Sequence, residues 1–179
     1  MFWGRCGILW FMNTHNDGIY VKRGNCQEEG VTPEGRLLPY QVEWAQDGSR
    51  WKYGLMARQV GKDYAAAYEG MGECKLAEKE GRRVDWLIAA PSERQSLGSL
   101  EKWKEMARRF DVGIAEHEES RDGGGESLLR AASITLPGGS RVIAVPGKPD
   151  TVRGYSANVL LTEFAFFEDA EATWKALVE

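Results

Sequence analysis

Between Trp51 and Phe110 the apolar spacing switches three times between strand-like and helix-like, and this constrains the fold more than any other feature of the chain. "WKYGLMA" (51–57) is an apolar run of strand length that reads as a buried strand. A Gly61-Lys62 turn follows, and "YAAAYEGMGECKLAEKE" reads as a helix closed near Gly81. "VDWLIAA" (84–90) is again a continuous apolar run. In "SERQSLGSLEKWKEMARRF", Leu97, Leu100, Trp103, Met106 and Ala107 then share one helical face. Strand, helix, strand, helix in this order predicts an α/β fold with a mostly parallel central sheet flanked by crossover helices.

The flanks divide the chain in two. Residues 1–35 are Trp-rich and broken by the turn signals "NTHNDG", "KRGN" and "VTPEG", which predicts an N-terminal leader or small hairpin-like cap. Residues 36–179 form the domain proper. It opens with a short helix after Pro39 that carries Gln41, Val42 and Trp44. Beyond Phe110, "EHEESRDGGGES" (116–127) reads as a mobile surface loop, because of its polarity and its three consecutive glycines. "ASITLPGGSRVIAVP" (132–146) reads as two strands joined at Pro137-Gly138-Gly139. "ANVLLTEFAFF" (157–167) is a further buried strand, and "DAEATWKALVE" starts a helix with Asp169 near its N-cap. The sheet is therefore expected to be incomplete at the C-terminus.

A chain of 179 residues with 42% hydrophobic content can bury one core. Its 23 basic and 27 acidic residues give a net charge of -4, which argues against a free-standing basic nucleic-acid clamp but leaves room for a local DNA-facing patch. Three cysteines without C-x-x-C spacing and two distant histidines, His15 and His117, argue against a disulfide framework or a zinc site. The apolar start "MFWGRCGILWFM" is interrupted by Arg5 and is too short to span a bilayer as a helix. The cytoplasm is the expected compartment.

The first candidate for chemistry is the loop "GLMARQVGKD" (54–63). A strand, a tight turn with Gly-Lys and a helix place backbone N–H groups and the positive end of the helix dipole around an anion. The Walker A pattern G-x-x-x-x-G-K-[ST] is met in part: Gly61 and Lys62 match, Met56 stands at the first glycine, and Asp63 stands at the hydroxyl position. Taken alone, the loop reads equally as an ordinary strand-to-helix turn with a surface lysine. The second candidate is Glu163, at the end of the run "VLLTE". Beside a phosphate loop it is positioned to polarise an attacking water, whereas alone it is a solvated residue ending a core strand.

The two departures from the usual pattern compensate each other. Such a strand normally ends in Asp-Glu, and here the Asp is Thr162; the loop normally supplies a hydroxyl, and here it supplies Asp63. The carboxylate and the hydroxyl have exchanged places. We expect Asp63 to serve a magnesium ion, directly or through water, with Thr162 hydrogen-bonded to Asp63.

Taken in order, "LLPYQVEWAQD", "ARQVGKD", "IAAPSERQ" and "SITLPGGSRVIAVPGKPDTVRGYSANVLLTEFAFFED" resemble the ATPase domain of phage terminase large subunits, closest to the Mu-like branch. The resemblance runs from about Leu37 to the end of the chain. It implies a P-loop NTPase that binds ATP with Mg2+ and powers packaging of double-stranded DNA, with the portal and the small terminase subunit as partners and a homo-oligomeric ring as the assembly. It places Tyr40 and Gln41 on the adenine side, the ring to stack on the base and the amide to read its edge. Gln59, Gly61, Lys62 and Asp63 fall on the nucleotide, with Lys62 as the phosphate lysine and Glu163 as the catalytic carboxylate. Arg58 matches an arginine acting on the γ-phosphate in cis, and Arg153 of "VRGYS" matches one acting on a neighbouring subunit. Structural roles stay open for both arginines. Ser92, Arg94 and Gln95 fall where helicase-like ATPases couple the sheet to nucleic acid, although a simple helix N-cap at Ser92 explains that stretch as well.

A full terminase large subunit continues with a coupling segment and a nuclease domain, so no nuclease is expected in this chain. Two alternatives stand beside an ATPase: a non-catalytic prophage remnant that at most binds nucleotide or a partner, and a helicase-like ATPase fragment.

Overall fold

The structure is a computed structural model that describes residues 7–12, 37–57, 59–123 and 127–178. Seven strands form one sheet: β1 (Gly7–Met12), β2 (Trp51–Met56), β3 (Trp86–Ala90), β4 (Ala115–Gly123), β5 (Ser127–Thr135), β6 (Arg141–Pro146) and β7 (Asn158–Thr162), in the order β2-β1-β7-β3-β6-β5-β4. The helices are α1 (Pro39–Gln46), α2 (Lys62–Lys79), α3 (Glu93–Arg109), the short α4 (Pro149–Val152) and α5 (Ala170–Val178).

The centre of the sheet is β7-β3-β6, three parallel strands buried on both faces. Along β3, Trp86 and Ile88 join the cluster under α2 and α3, while Leu87 and Ala89 join the opposite cluster with Val152, Phe167 and the half-buried Trp174. This is why "VDWLIAA" reads as an unbroken apolar run rather than an alternating one: both faces are covered by helices. The face of α3 predicted from its periodicity is the buried one, with Leu100, Trp103, Met106 and Ala107 fully inside and Leu97 packed against them. Ser92 caps this helix by accepting from Gln95 N, and Asp169 accepts from Ala172 N at the start of α5.

The sheet is mixed, and the expectation of a mostly parallel one is corrected. Its pairings are parallel for β3–β6 and β3–β7 but antiparallel for β1–β2, β1–β7, β4–β5 and β5–β6. The physical cause is that β1 and β5 each run against both of their neighbours. β5 turns back into β6 through the hairpin at Pro137-Gly138-Gly139. β1 comes from the segment read as a leader or cap, and it lies inside the sheet between β2 and β7.

Three local expectations also change. The stretch expected to be a mobile loop contains β4, paired with β5 from Ala115↔Thr135 to Gly123↔Ser127; an exposed edge strand tolerates Glu116, His117 and Glu118, and such charges blunt edge-to-edge association. β2 alternates instead of being buried throughout: Lys52 and Gly54 point inward, whereas Trp51, Tyr53 and Leu55 are exposed. Lys52 is nonetheless satisfied inside, donating to Trp44 O at 2.9 Å and to Glu69 Oε1 at 2.6 Å, which ties α1, β2 and α2 together. The strand expected over 157–167 stops at Thr162, because Glu163 turns the chain into a short 3-10 turn, Phe164–Phe166.

Packing between α2 and the core gives opposite expectations for two glycines two residues apart. A Cβ on Gly70 would lie 2.0 Å from the Trp103 ring, whereas a Cβ on Gly72 meets nothing within 4 Å. Gly70→Ala forces the buried indole to move and should destabilise the protein by about 1–3 kcal/mol. Gly72→Ala should stabilise it by about 0.5–1 kcal/mol through helix propensity alone. Urea denaturation of both variants checks the signs, and equal shifts would contradict the packing described.

Candidate functional site

The chain leaves β2 at Met56 and enters α2 at Lys62 through a turn with two left-handed residues, Gln59 (φ 60°) and Gly61 (φ 76°). Glycine is required at 61 twice over. Its φ is one that side chains disfavour, and a Cβ there would lie 2.4 Å from Gln41 Nε2. Gln41 grips this turn. Its Nε2 donates to Val60 O and Gly61 O, both at 3.1 Å, and its Oε1 accepts from Leu38 N at 2.9 Å. Tyr40 donates its hydroxyl to Val60 O while its ring stays partly exposed. The first turn of α1 therefore holds the loop, and as it stands the Gln41 amide is spent on the chain itself. Arg58 lies outside the described residues.

Where α2 begins, the N–H groups of Lys62, Asp63 and Tyr64 lack intrahelical acceptors, as in any helix, and face outward as potential anion donors. The end of β7 comes to the same place. Lys62 Nζ is ion-paired with Glu163 Oε1, and Thr162 Oγ1 donates to Asp63 Oδ1 at 2.8 Å. Two consecutive residues of the loop thus meet two consecutive residues of the strand. The hydrogen bond expected between Thr162 and Asp63 is present.

The spacing is set by β1. Leu9 pairs with Gly54 of β2 on one side and with Thr162 of β7 on the other. The loop strand and the carboxylate strand are therefore two strand spacings apart, about 10 Å, a gap that a lysine and a glutamate can bridge between them. Glu163 adopts φ 58°, a left-handed conformation that costs a non-glycine residue on the order of 1 kcal/mol. Its carboxylate meets Lys62 Nζ.

The electrostatics centre on Asp63. Burial pushes its carboxyl above the ordinary aspartate value; the Thr162 hydrogen bond and the Lys62 charge pull it down, and the neighbouring Glu163 pushes it up again. The balance leaves a carboxylate that is under-compensated when ionised, the condition a cation relieves. No group of three or more His, Cys, Asp or Glu side chains able to hold a metal exists among the described residues. Asp63 and Thr162 make a sparse donor pair. That suits a magnesium ion, which takes one or two protein ligands and fills its octahedron from phosphate and water.

The remaining candidates stand apart from this cluster. Arg153 is exposed at the C-terminal end of α4, and its guanidinium has no ion pair among the described residues. Ser92 and Gln95 are bonded to each other at the start of α3, and Arg94 beside them is exposed. Sequence reasoning missed the direct Lys62–Glu163 pair, the left-handed turn at Glu163 and the grip of Gln41 on the loop. Of these, only the grip had a visible trace, in the obligatory Gly61.

No family model matches the chain. It is 25% identical over 146 residues to the Mu-like prophage FluMu protein gp28 of Haemophilus influenzae, a match covering 80% of this chain and 28% of that protein. The chain thus spans 28% of the length of that relative, and the likeness points to a phage-related protein. No helix among the described residues is long and apolar enough to cross a membrane.

The raised Asp63 carboxyl carries a stability consequence. The folded chain holds that proton more tightly than the unfolded chain, so the contribution is favourable below the ordinary value of 3.8 and is lost as pH rises through the folded value. Asp63→Asn keeps an oxygen for Thr162 and removes the charge. In metal-free buffer it should raise the melting temperature at neutral pH, with the gain shrinking toward zero below about pH 3.8. Melting curves across pH check this; a variant less stable than wild type at pH 7 would contradict it.

Proposed function

We propose that this chain is an ATP-binding and hydrolysing domain of the terminase large-subunit type, built on a P-loop NTPase plan. The observation that carries the reading is the meeting of Lys62 and Asp63 with Glu163 and Thr162, a cation, a hydroxyl and two carboxylates at the start of a helix. The likeness to a Mu-like prophage protein supports the phage context.

In this reading the first-turn N–H groups of α2 and Lys62 hold the β- and γ-phosphates. Glu163 orients a water in line with the γ-phosphate and accepts its proton as the water oxygen bonds to the γ-phosphorus and the bond to the β-γ bridging oxygen breaks, releasing ADP. Asp63 holds the metal side of the site and Thr162 fixes the Asp63 carboxylate in place. Magnesium, when bound, neutralises charge on the phosphate oxygens. Tyr40 offers its exposed ring to the base, and Gln41, through Val60 and Gly61, keeps the loop in the shape a phosphate needs. Gln59 stands at the outer side of the same turn. Arg58 is the candidate for the γ-phosphate in cis, and Arg153, exposed at the end of α4, for a neighbouring subunit in a ring. The work done is translocation of double-stranded DNA in the host cytoplasm, alongside the portal and the small terminase subunit.

Calorimetry with MgATP tests the site. Lys62→Ala should weaken binding at least about tenfold, the loss of one charge-assisted contact, and EDTA should weaken binding to the wild-type chain. Asp63→Ser, which removes the carboxylate and leaves Thr162, should lower magnesium-dependent hydrolysis. Unchanged binding in Lys62→Ala would overturn the nucleotide reading, and equal or faster hydrolysis in Asp63→Ser would overturn the metal role of Asp63.

A further inference from the structure

In the structure Glu163 is engaged where the proposed chemistry needs it free. Its carboxylate sits on Lys62 Nζ, and the two side chains are only 22% and 9% exposed. Its backbone is left-handed, at φ 58°, in a residue type that disfavours that region. The turn behind it is firmly wedged. Phe166 N donates to Glu163 O at 2.9 Å, and the Phe164 and Phe167 rings lie 5.1 Å apart. Phe167 rests directly on Gly147, where a Cβ would come within 1.8 Å of the ring, and Gly147 O accepts from Thr173 Oγ1 of α5 at 3.1 Å.

We infer that the Lys62–Glu163 pair is an autoinhibitory latch, in which Glu163 occupies on Lys62 the place of a nucleotide phosphate and must be expelled before the site can load. This rests on the nucleotide reading above. A polyphosphate brings several negative charges to Lys62 and the start of α2, and a carboxylate sharing that lysine is repelled. Phosphate therefore displaces Glu163 from Lys62, which in one step seats the nucleotide and frees the carboxylate for water. Release also removes the contact that holds Glu163 left-handed. The Phe164–Phe167 turn then relaxes against Gly147, so that the loop leading into α4 and Arg153 senses the occupied site. An idle site is in this way kept from presenting an unpaired lysine and an unpaired glutamate together.

The test measures ADP binding in EDTA, where neither metal nor hydrolysis contributes, to four full-length chains: wild type, Lys62→Ala, Glu163→Gln and Glu163→Asp. Glu163→Gln removes the charge; Glu163→Asp keeps the charge but shortens its reach. The latch predicts that both Glu163 variants bind ADP about tenfold more tightly than wild type, as expected for one charge-assisted hydrogen bond no longer competing. It also predicts that the amides of 164–167 exchange faster in both variants without ligand, and in wild type only once ADP is bound. Tightening in Glu163→Gln alone would reduce the effect to simple repulsion and overturn the latch. Binding that is lost in Lys62→Ala yet equal in the other three chains would overturn the latch and leave the nucleotide site standing. No ADP binding in any chain that retains Lys62 would overturn both.

Discussion

The first turn of α2 is held to the end of β7 by two contacts between consecutive residues, Lys62 with Glu163 and Asp63 with Thr162. Other features of the fold follow from keeping that junction intact. Lys62 is 9% and Glu163 22% exposed, so the ion pair has lost much of its hydration and holds only because each charge has the other. Asp63 has a weaker bargain, with one hydroxyl and a nearby lysine against its burial, and its carboxyl is pushed upward as a result. The junction is thus tight on one side and electrostatically unfinished on the other. That asymmetry leaves Asp63 as the carboxylate whose ionised form a further positive charge would relieve.

The surrounding scaffold sets the distances. β1 spaces the loop strand from the carboxylate strand, with Leu9 in register with both Gly54 and Thr162. Gln41 fixes the turn from the other side by bonding Val60 O and Gly61 O. Behind the site, the three parallel strands β7, β3 and β6 are buried on both faces, so the end of β7 cannot drift without disturbing two packed clusters. A rigid strand end facing a gripped loop is the arrangement that holds reacting groups at fixed separation.

Much of this was legible in the sequence, and the part that was not has identifiable causes. Helix α3 and its buried face follow from apolar period, and strand β3 from an unbroken apolar run of strand length. The Thr162–Asp63 bond followed from donor and acceptor inventory: a hydroxyl and a carboxylate had exchanged positions, and only their mutual bond keeps both useful. Strand direction was harder. β1 carries an apolar run that fits a cap as well as a sheet, and nothing local to "GILWFM" reveals that it pairs with the distant strands β2 and β7. β4 was read as a loop because an exposed edge strand has no apolar face to show, and its pairing with β5 is a tertiary fact. The left-handed turn at Glu163 has no trace in composition, since glutamate seldom adopts it.

The partial likeness to a Mu-like prophage protein points to a phage-related protein. On the nucleotide reading, Lys62 has two alternative anionic partners, a carboxylate of its own chain and a phosphate, and the choice between them is the state of the site. A crystal structure of the chain with magnesium and a non-hydrolysable ATP analogue addresses this most directly. The account predicts the β- and γ-phosphates against the first turn of α2, Lys62 turned from Glu163 onto them, and the metal on the Asp63 side beside Thr162. An analogue bound elsewhere, or phosphates at the loop with Lys62 still paired to Glu163, would contradict it.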